Sequence, residues 1–349
     1  MNFNRFKEPF RLFGIHFAPL CLPLERRLRT VGALAWSGLI FIGLLLGGIV
    51  FFYCLLTSKY QWIIWPYLTW YIYDIRTPFT GGRDINGRLC RKYRNLPIWR
   101  YFKGYFPHKI IKTGDLDPNK SYLVGSHPHG LMASGSFAGF STNDAFFQEL
   151  YPNMKARVIS ASSMFFIPFV RELILALGVV SCLKNSMEIA LSKGKGLANI
   201  LIVGGALEAM NLGHKDVIKL YLQKRKGFIK IAIRMGTDIV PSFTFGENDL
   251  YHQLEHPFLK KIQLWGEKIV GFAPLVFNGR GIFQYSFGFL PLRKPLHVVI
   301  GSPIPVEMDP NPSKEKIEEV HRIYMDKLKE LYDKYNPLYG DPNIKLEIG

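Results

Sequence analysis

From residue 31 to residue 57 the chain reads VGALAWSGLIFIGLLLGGIVFFYCLLT, 27 positions without a charge. A bilayer-crossing helix needs about 20 apolar residues, so this run predicts a membrane helix long enough to tilt. A cleaved signal has a shorter apolar core, and no small-residue cleavage site follows here. A buried core helix is the alternative. Next comes YQWIIWPYLTWYIY (60–73), also uncharged, 14 residues long with Pro66 near its centre. As a helix it reaches about 21 Å, short of a hydrocarbon core of about 30 Å. Its three Trp and four Tyr suit the headgroup boundary. Six Lys/Arg against two Glu precede the pair, and eleven Lys/Arg against three Asp follow over 76–120. Positive residues collect on the cytosolic side, so two positive flanks predict a helical hairpin dipping into the membrane from that side. A single span with an interfacial second segment is the other arrangement.

Beyond Asp74 the pattern turns globular. Strand-length apolar runs, YLVGS (122–126), RVISAS (157–162), ANILIVGG (198–205), DIVPSFTFG (238–246) and HVVIGSPIPV (297–306), alternate with helical stretches at 166–178, 187–194 and 225–236. That alternation predicts an α/β domain with a largely parallel central sheet covered on both faces. The last helix is marked most clearly: Ser313 is its N-cap, and Ile317, Val320, Tyr324, Leu328 and Leu331 keep helical spacing. The expected organisation is a basic cytosolic segment 1–30, a membrane hairpin 31–73 and a cytosolic α/β domain 74–349.

Composition narrows the partners. Hydrophobic residues make up 48% and charged ones 20%, which argues against disorder. The net charge of +17 calls for an anionic partner: nucleic acid, anionic headgroups and a polyphosphate substrate all fit the sign. The four cysteines lie far apart with no CxxC pair, which speaks against a disulfide framework or structural zinc. One glycosylation sequon, Asn119-Lys120-Ser121, is a short motif that chance supplies often.

Chemistry concentrates where the first strand ends, at His127-Pro128-His129-Gly130. Pro128 restricts its own backbone and His127, and Gly130 permits a sharp change of direction, so the pair sits at a stiff elbow. Two readings compete. An HxH pair can ligate a divalent metal, with His252 and His256 in HQLEH as further ligands, although HQLEH lacks the HExxH order. Alternatively, an imidazole with an ordinary pKa of about 6.5 can take a proton from an alcohol and pass it on. No G-x-S-x-G elbow, P-loop or G-x-G-x-x-G fingerprint occurs, which removes serine-nucleophile, nucleotide-hydrolysing and dinucleotide chemistry. A second constellation follows Gly204-Gly205: Glu208 is a carboxylate at a neighbouring strand end, placed to orient an imidazole, or else an ordinary first-turn glutamate. Lys224, Arg225 and Lys226 precede Gly227 at a helix start, where cations oppose the dipole unless an anion docks.

Together these motifs resemble the second diacylglycerol acyltransferase family, which includes monoacylglycerol and wax-alcohol acyltransferases. The residues carrying the likeness are HPHG (127–130), GGALEA (204–209), RKGF (225–228), VPSFTFGENDLY (240–251) and GRGIFQYSFGFLP (279–291). FAPLCLPLERRLRT (17–30), GGR (81–83), YFP (105–107) and LDP (116–118) extend it upstream. The 17–30 and FQYSFG segments look closest to monoacylglycerol acyltransferases. The resemblance implies an endoplasmic-reticulum membrane enzyme, with lipid droplets as a second location. It would move a fatty acyl group from acyl-CoA to an acylglycerol hydroxyl in diacylglycerol and triacylglycerol synthesis, with a glycerolipid-acyltransferase-like domain. It implies His129 as base, His127 as support and Glu208 as carboxylate partner, with Gly130, Arg225, Lys226, Gly227, Arg280, Glu247 and Asn248 contacting substrate or CoA. It implies no metal, no cofactor beyond the acyl-CoA co-substrate and no nucleic acid, and it allows a homo-oligomer. Backbone N–H groups after the elbow are expected to stabilise the oxyanion. Two departures stand out: Ser134 occupies the position where related glycerolipid enzymes carry the Asp of His-x4-Asp, and NLGHKD (211–216) replaces a Pro-Gly turn. Rival readings are a wax-ester synthase, a non-catalytic lipid-binding or tethering protein and an HxH metallohydrolase.

Overall fold

Successive residues of a strand face opposite sides of its sheet, and in the predicted strands both sides are apolar. Val124, Ile200, Val240 and Val298 enter one buried cluster, while Leu123, Leu201, Ile239 and Val299 enter another. A sheet with two apolar faces requires helices on both, and the computed structural model has that three-layer form. It describes residues 9–349 except 20, 143, 211–215, 254–260, 262, 264 and 266–275.

The strands in chain order are β1 (Phe10–Leu12), β2 (Ile15–Phe17), β3 (His108–Lys112), β4 (Ser121–His127), β5 (Lys155–Ser160), β6 (Val180–Ser181), β7 (Leu197–Ile202), β8 (Val217–Leu220), β9 (Asp238–Phe245), β10 (His252–Gln253), β11 (Phe277–Asn278), β12 (Leu296–Ile300) and β13 (Lys345–Ile348). Seven form the central sheet in the order β3-β12-β9-β4-β7-β5-β6. Every pairing is parallel except β12 with β9. The predicted largely parallel sheet is therefore present, and β4, which carries the histidine elbow, lies at its centre. Ligands of parallel sheets gather at the carboxyl ends of central strands.

One face is covered by the C-terminal helix Lys314–Tyr339 and the helix Gly227–Met235. The Ser313 side chain accepts the Lys316 N–H at 3.2 Å, so the expected cap is made. On the other face lie the helices Pro97–Tyr105 and Ser134–Phe140, joined by a helix from the long apolar run.

That run departs from expectation. It forms α1 (Leu24–Ser37), a π-helical stretch Gly38–Ile42 and α2 (Gly43–Leu56), followed by α3 (Gln61–Asp74). Among the described residues no single helix is long and apolar enough to cross a bilayer; Leu24–Ile42 and Leu45–Leu56 qualify only together, and they meet at 64°. The physical reason is that the first half has protein to bury against. Ala33, Trp36, Ser37 and Ile40 are buried, and Trp36 stacks on Phe137 with centroids 3.5 Å apart. Gly32 permits the approach: a Cβ there would stand 2.5 Å from the Phe102 nitrogen. α2 and α3 expose apolar side chains, among them Ile49, Phe52, Trp62, Trp65 and Ile72.

A buried ionic cluster fastens α3 to the α/β layers. Asp74 at its end meets Arg171 and Arg83, each at 3.0 Å, and fully buried Arg171 also meets Glu172 at 2.9 Å. The Tyr67 hydroxyl donates to Glu172 at 3.0 Å and accepts the Phe169 N–H at 3.0 Å. Breaking a buried pair strands a charge and costs about 3–5 kcal/mol, against about 0–1 kcal/mol for an exposed pair. Arg171→Ala is expected to lose stability in the larger range in denaturant unfolding of the detergent-solubilised chain; a loss in the smaller range would contradict this view of the cluster.

Candidate active site

β4 delivers both histidines and then gives way to a turn. His127, its last residue, is fully buried, and its Nε2 lies 2.9 Å from the Tyr324 hydroxyl of the C-terminal helix. Burial pushes its pKa down to about 3, so the ring stays neutral and pins the strand end to that helix. The His127–Pro128 peptide is cis.

His129 occupies different surroundings. It is half-buried and lines a cavity of about 170 Å³. Its Nδ1 lies 2.9 Å from the Gly130 carbonyl oxygen. A carbonyl only accepts, so Nδ1 carries the proton and Nε2 keeps its lone pair. Burial holds the ring below its ordinary pKa, and the Arg225 charge adds to that, against the opposing Gly130 bond. The result is a neutral, oriented base.

Glu208 does reach this histidine, but through the backbone. One carboxylate oxygen accepts the His129 N–H at 2.9 Å and the other accepts the Tyr221 N–H at 3.2 Å. This corrects the expectation that it would grip the ring, whose Nδ1 is taken by Gly130. Gly204 makes the arrangement possible, because a Cβ there would stand 1.8 Å from a Glu208 carboxylate oxygen. Burial raises the Glu208 pKa to about 7, with the two N–H bonds and Arg225 opposing.

Away from His129 the cavity is largely apolar, walled by Trp36, Ile40, Val158, Met164, Ile174 and Val179, with Ser141, Ser160 and Ser163 as its other polar side chains. Its shape and chemistry suit a hydrocarbon chain with its reactive end at the base.

Residues 52–349 match the family model described as diacylglycerol acyltransferase. The chain belongs to that family. It is 43% identical over 334 residues to 2-acylglycerol O-acyltransferase 1 of Bos taurus, covering 94% of this chain and 97% of that one. It is 40% identical over 335 residues to diacylglycerol O-acyltransferase 2A of Umbelopsis ramanniana, covering 94% and 92%. Its likeness to the crystal structure of the 1-acyl-sn-glycerophosphate acyltransferase of Thermotoga maritima is distant: TM-score 0.40 and 13% identity, over 88% of this chain and 97% of that one.

The remaining expected residues of this acyltransferase divide between the site and the scaffold. Arg225 is at the site. Its guanidinium lies beside Gly205, 3.3 Å from where a Cβ would be, and it makes no hydrogen bond or ion pair with a described residue. Lys226 pairs with Glu318 at 2.8 Å on the surface, an exchangeable contact. Gly227 opens the helix Gly227–Met235 onto open space.

Arg280 is a correction. It is buried, stacks on Tyr285 at 4.4 Å and donates to the carbonyls of Gly281 and Ile282 at 3.0 and 3.2 Å, so its charge braces its own loop. Glu247 is a second. Its carboxylate accepts the N–H groups of Ser134 and Gly135 at 2.7 and 2.8 Å, so both of its oxygens are engaged in capping the helix after the elbow. Ser134 thus receives a carboxylate from a distant strand end, and these two N–H groups are not available to an oxyanion. Gly130 lies against Glu247, since a Cβ there would stand 2.5 Å from its Cγ. Burial raises Glu247 to about 7 against those two bonds. Asn248 follows with its Oδ1 buried and without a partner among the described residues.

His252 is exposed on β10, which pairs with β11; His256 and 211–215 of the NLGHKD segment lie outside the described residues. Among the described residues no three His, Cys, Asp or Glu side chains are placed to share a metal ion. Sequence reading missed Trp36 and Ile40 as cavity walls and Tyr324 as the partner of His127. Trp36, the one tryptophan in the run 31–57, was the available signal.

Two outcomes follow from this geometry. Glu208 ionises as pH rises through about 7, placing negative charge near an imidazole that must become cationic; activity is expected to rise across that range. Glu208→Gln is expected to be slowed by about ten- to a hundredfold and to lose that limb; an unchanged profile would remove the carboxylate from the chemistry. Gly204→Ala pushes the Glu208 carboxylate off its N–H partners and is expected to slow turnover similarly, with normal circular dichroism. A fully active Gly204→Ala enzyme would show the contact to be dispensable.

Proposed function

We propose that the chain transfers a fatty acyl group from acyl-CoA to the free hydroxyl of a mono- or diacylglycerol at a membrane surface. The observation that carries this is His129: a neutral imidazole with Nδ1 pinned, at the wall of a largely apolar cavity. The acyl chain occupies the cavity and the thioester carbonyl rests beside the ring. His129 Nε2 accepts the proton of the acceptor hydroxyl as its oxygen attacks the carbonyl carbon. Arg225 is the cation nearest the reacting centre and takes the oxyanion role, because Glu247 occupies the N–H groups of Ser134 and Gly135. Collapse breaks the carbon–sulfur bond, and the proton held by His129 passes to the leaving thiolate. A thioester is already activated, so the scheme requires no metal or cofactor. Lys224 and Lys226 meet the CoA phosphates.

The membrane supplies both substrates. α2 and α3 have 14 residues each, about 21 Å, and a hydrocarbon core measures about 30 Å. The hairpin therefore dips into one leaflet and returns, with both ends on the cytosolic side of the endoplasmic reticulum. That geometry also suits the monolayer of a lipid droplet.

Purified full-length protein incubated with labelled acyl-CoA and a panel of monoacylglycerols, diacylglycerols and long-chain alcohols tests the reading. Labelled diacylglycerol or triacylglycerol is expected, and His129→Ala is expected to lose about a hundredfold or more of the rate. Wax ester as the sole product would transfer the acceptor to the alcohols. An active His129→Ala variant would end the general-base scheme.

A further inference from the structure

The loop 279–291 and the β1–β2 hairpin lie far apart in sequence and are tied together in the fold. The Ala18 N–H donates to the Phe283 carbonyl at 2.8 Å, the Tyr285 N–H to the His16 carbonyl at 2.7 Å, and the His16 N–H to the Ser286 hydroxyl at 2.9 Å. Within the loop the polar side chains turn inward onto backbone. Gln284 accepts the N–H groups of Ser286 and Phe287 at 2.7 and 3.1 Å, and Asn278 bridges the Ser286 carbonyl and the Gly288 N–H, each at 3.2 Å. Arg280 holds two more carbonyls, as above.

Braced in this way, the loop and hairpin present their apolar side chains to the outside. Phe13 at the hairpin turn is 93% exposed, Phe283 77% and Phe287 53%, with Leu12 and Ile282 also exposed. Scattered single apolar residues are ordinary on a surface, but a braced platform of aromatic tips marks a contact surface.

Two observations identify what covers it. Cations neighbour it: Arg11 sits in the hairpin, and Arg26, Arg29 and Arg293 line an adjoining cleft with Glu25 as its one acid. The platform also adjoins the apolar helices, because Phe277 at the base of the loop stacks on Phe41, centroids 4.4 Å apart, two residues before α2 begins. Aromatic tips flanked by arginines suit the boundary of an anionic bilayer.

We infer that the β1–β2 turn and the loop 279–291 form a second lipid-contact surface, seating Phe13, Phe283 and Phe287 in the headgroup boundary with Arg11, Arg26 and Arg293 on anionic lipid. It rests on the membrane reading above and adds a site outside the α2–α3 hairpin. Two contacts at separate points fix the tilt of the α/β domain on the membrane, which a single hairpin leaves free.

The test uses the full chain with its accessible thiols, Cys21, Cys54 and Cys182, changed to serine. Single spin labels are placed through Phe13→Cys, Phe283→Cys, Phe52→Cys on α2 and Ser192→Cys, and the protein is reconstituted in phosphatidylcholine vesicles with and without phosphatidylserine. Labels 13 and 283 are expected to lose access to a water-soluble relaxation reagent and gain access to oxygen, as label 52 does, more so with phosphatidylserine, while label 192 stays aqueous. Label 52 in lipid with 13 and 283 in water would overturn this inference and leave the membrane reading intact. Labels 13 and 283 shielded from both reagents would overturn it in favour of a protein partner. Label 52 in water would overturn the membrane reading, and this inference with it.

Discussion

A buried carboxylate on a backbone N–H holds this site together. Glu208 takes the N–H of His129 and of Tyr221, fixing the turn after β4 against the segment after β8. The ring of His129 is then free to be oriented by its own neighbour, the Gly130 carbonyl, and to present Nε2 to the cavity. Glu247 does the same one turn later, on Ser134 and Gly135. Two glutamates clamp the two ends of one short turn, and neither needs to touch the imidazole to aim it.

The clamps have an electrostatic consequence. Glu208 and Glu247 have folded pKa values of about 7, above the ordinary 4.5. The folded state therefore binds more protons between those limits, and the stability these groups give is present below 4.5 and lost as pH rises through about 7. His127 and His108, both buried and lowered to about 3 from 6.5, act in the opposite sense: their contribution is complete above 6.5 and lost as pH falls towards 3. The two effects oppose each other between 4.5 and 6.5, and only the histidine term remains below. The neutral imidazole of His129 and the chargeable Glu208 thus coexist at neutral pH, where acyl transfer needs a base and an anion to steady its conjugate acid.

Much of this was legible in the sequence. The apolar runs at 122–126, 198–205 and 238–246 read as parallel strands because they are of strand length and alternate with helical stretches. HPHG and GGALEA were read as one site because both follow strand ends. What was not legible depended on distance. Glu247 lies 113 residues from Ser134 and Tyr324 lies 197 from His127, and no local pattern announces such partners. Arg280 looked like a free cation because its acceptors are main-chain carbonyls, which every sequence contains. The run 31–57 was read as one membrane helix of a hairpin because hydropathy counts apolar residues and does not say whether lipid or protein covers them; Trp36, stacked on Phe137, belongs to the protein. β3, His108–Lys112, was missed because an edge strand with three cationic-type residues in five carries little apolar signal.

The central claim is that His129 is neutral near pH 7, with its proton on Nδ1 and Nε2 free. The ¹⁵N chemical shifts of its ring in histidine-labelled protein, assigned by their loss in His129→Gln, test this directly. The account predicts a neutral ring protonated at Nδ1 near pH 7, becoming imidazolium only below its ordinary titration range. An imidazolium at pH 7, a proton resting on Nε2, or shifts set by a bound metal would contradict it.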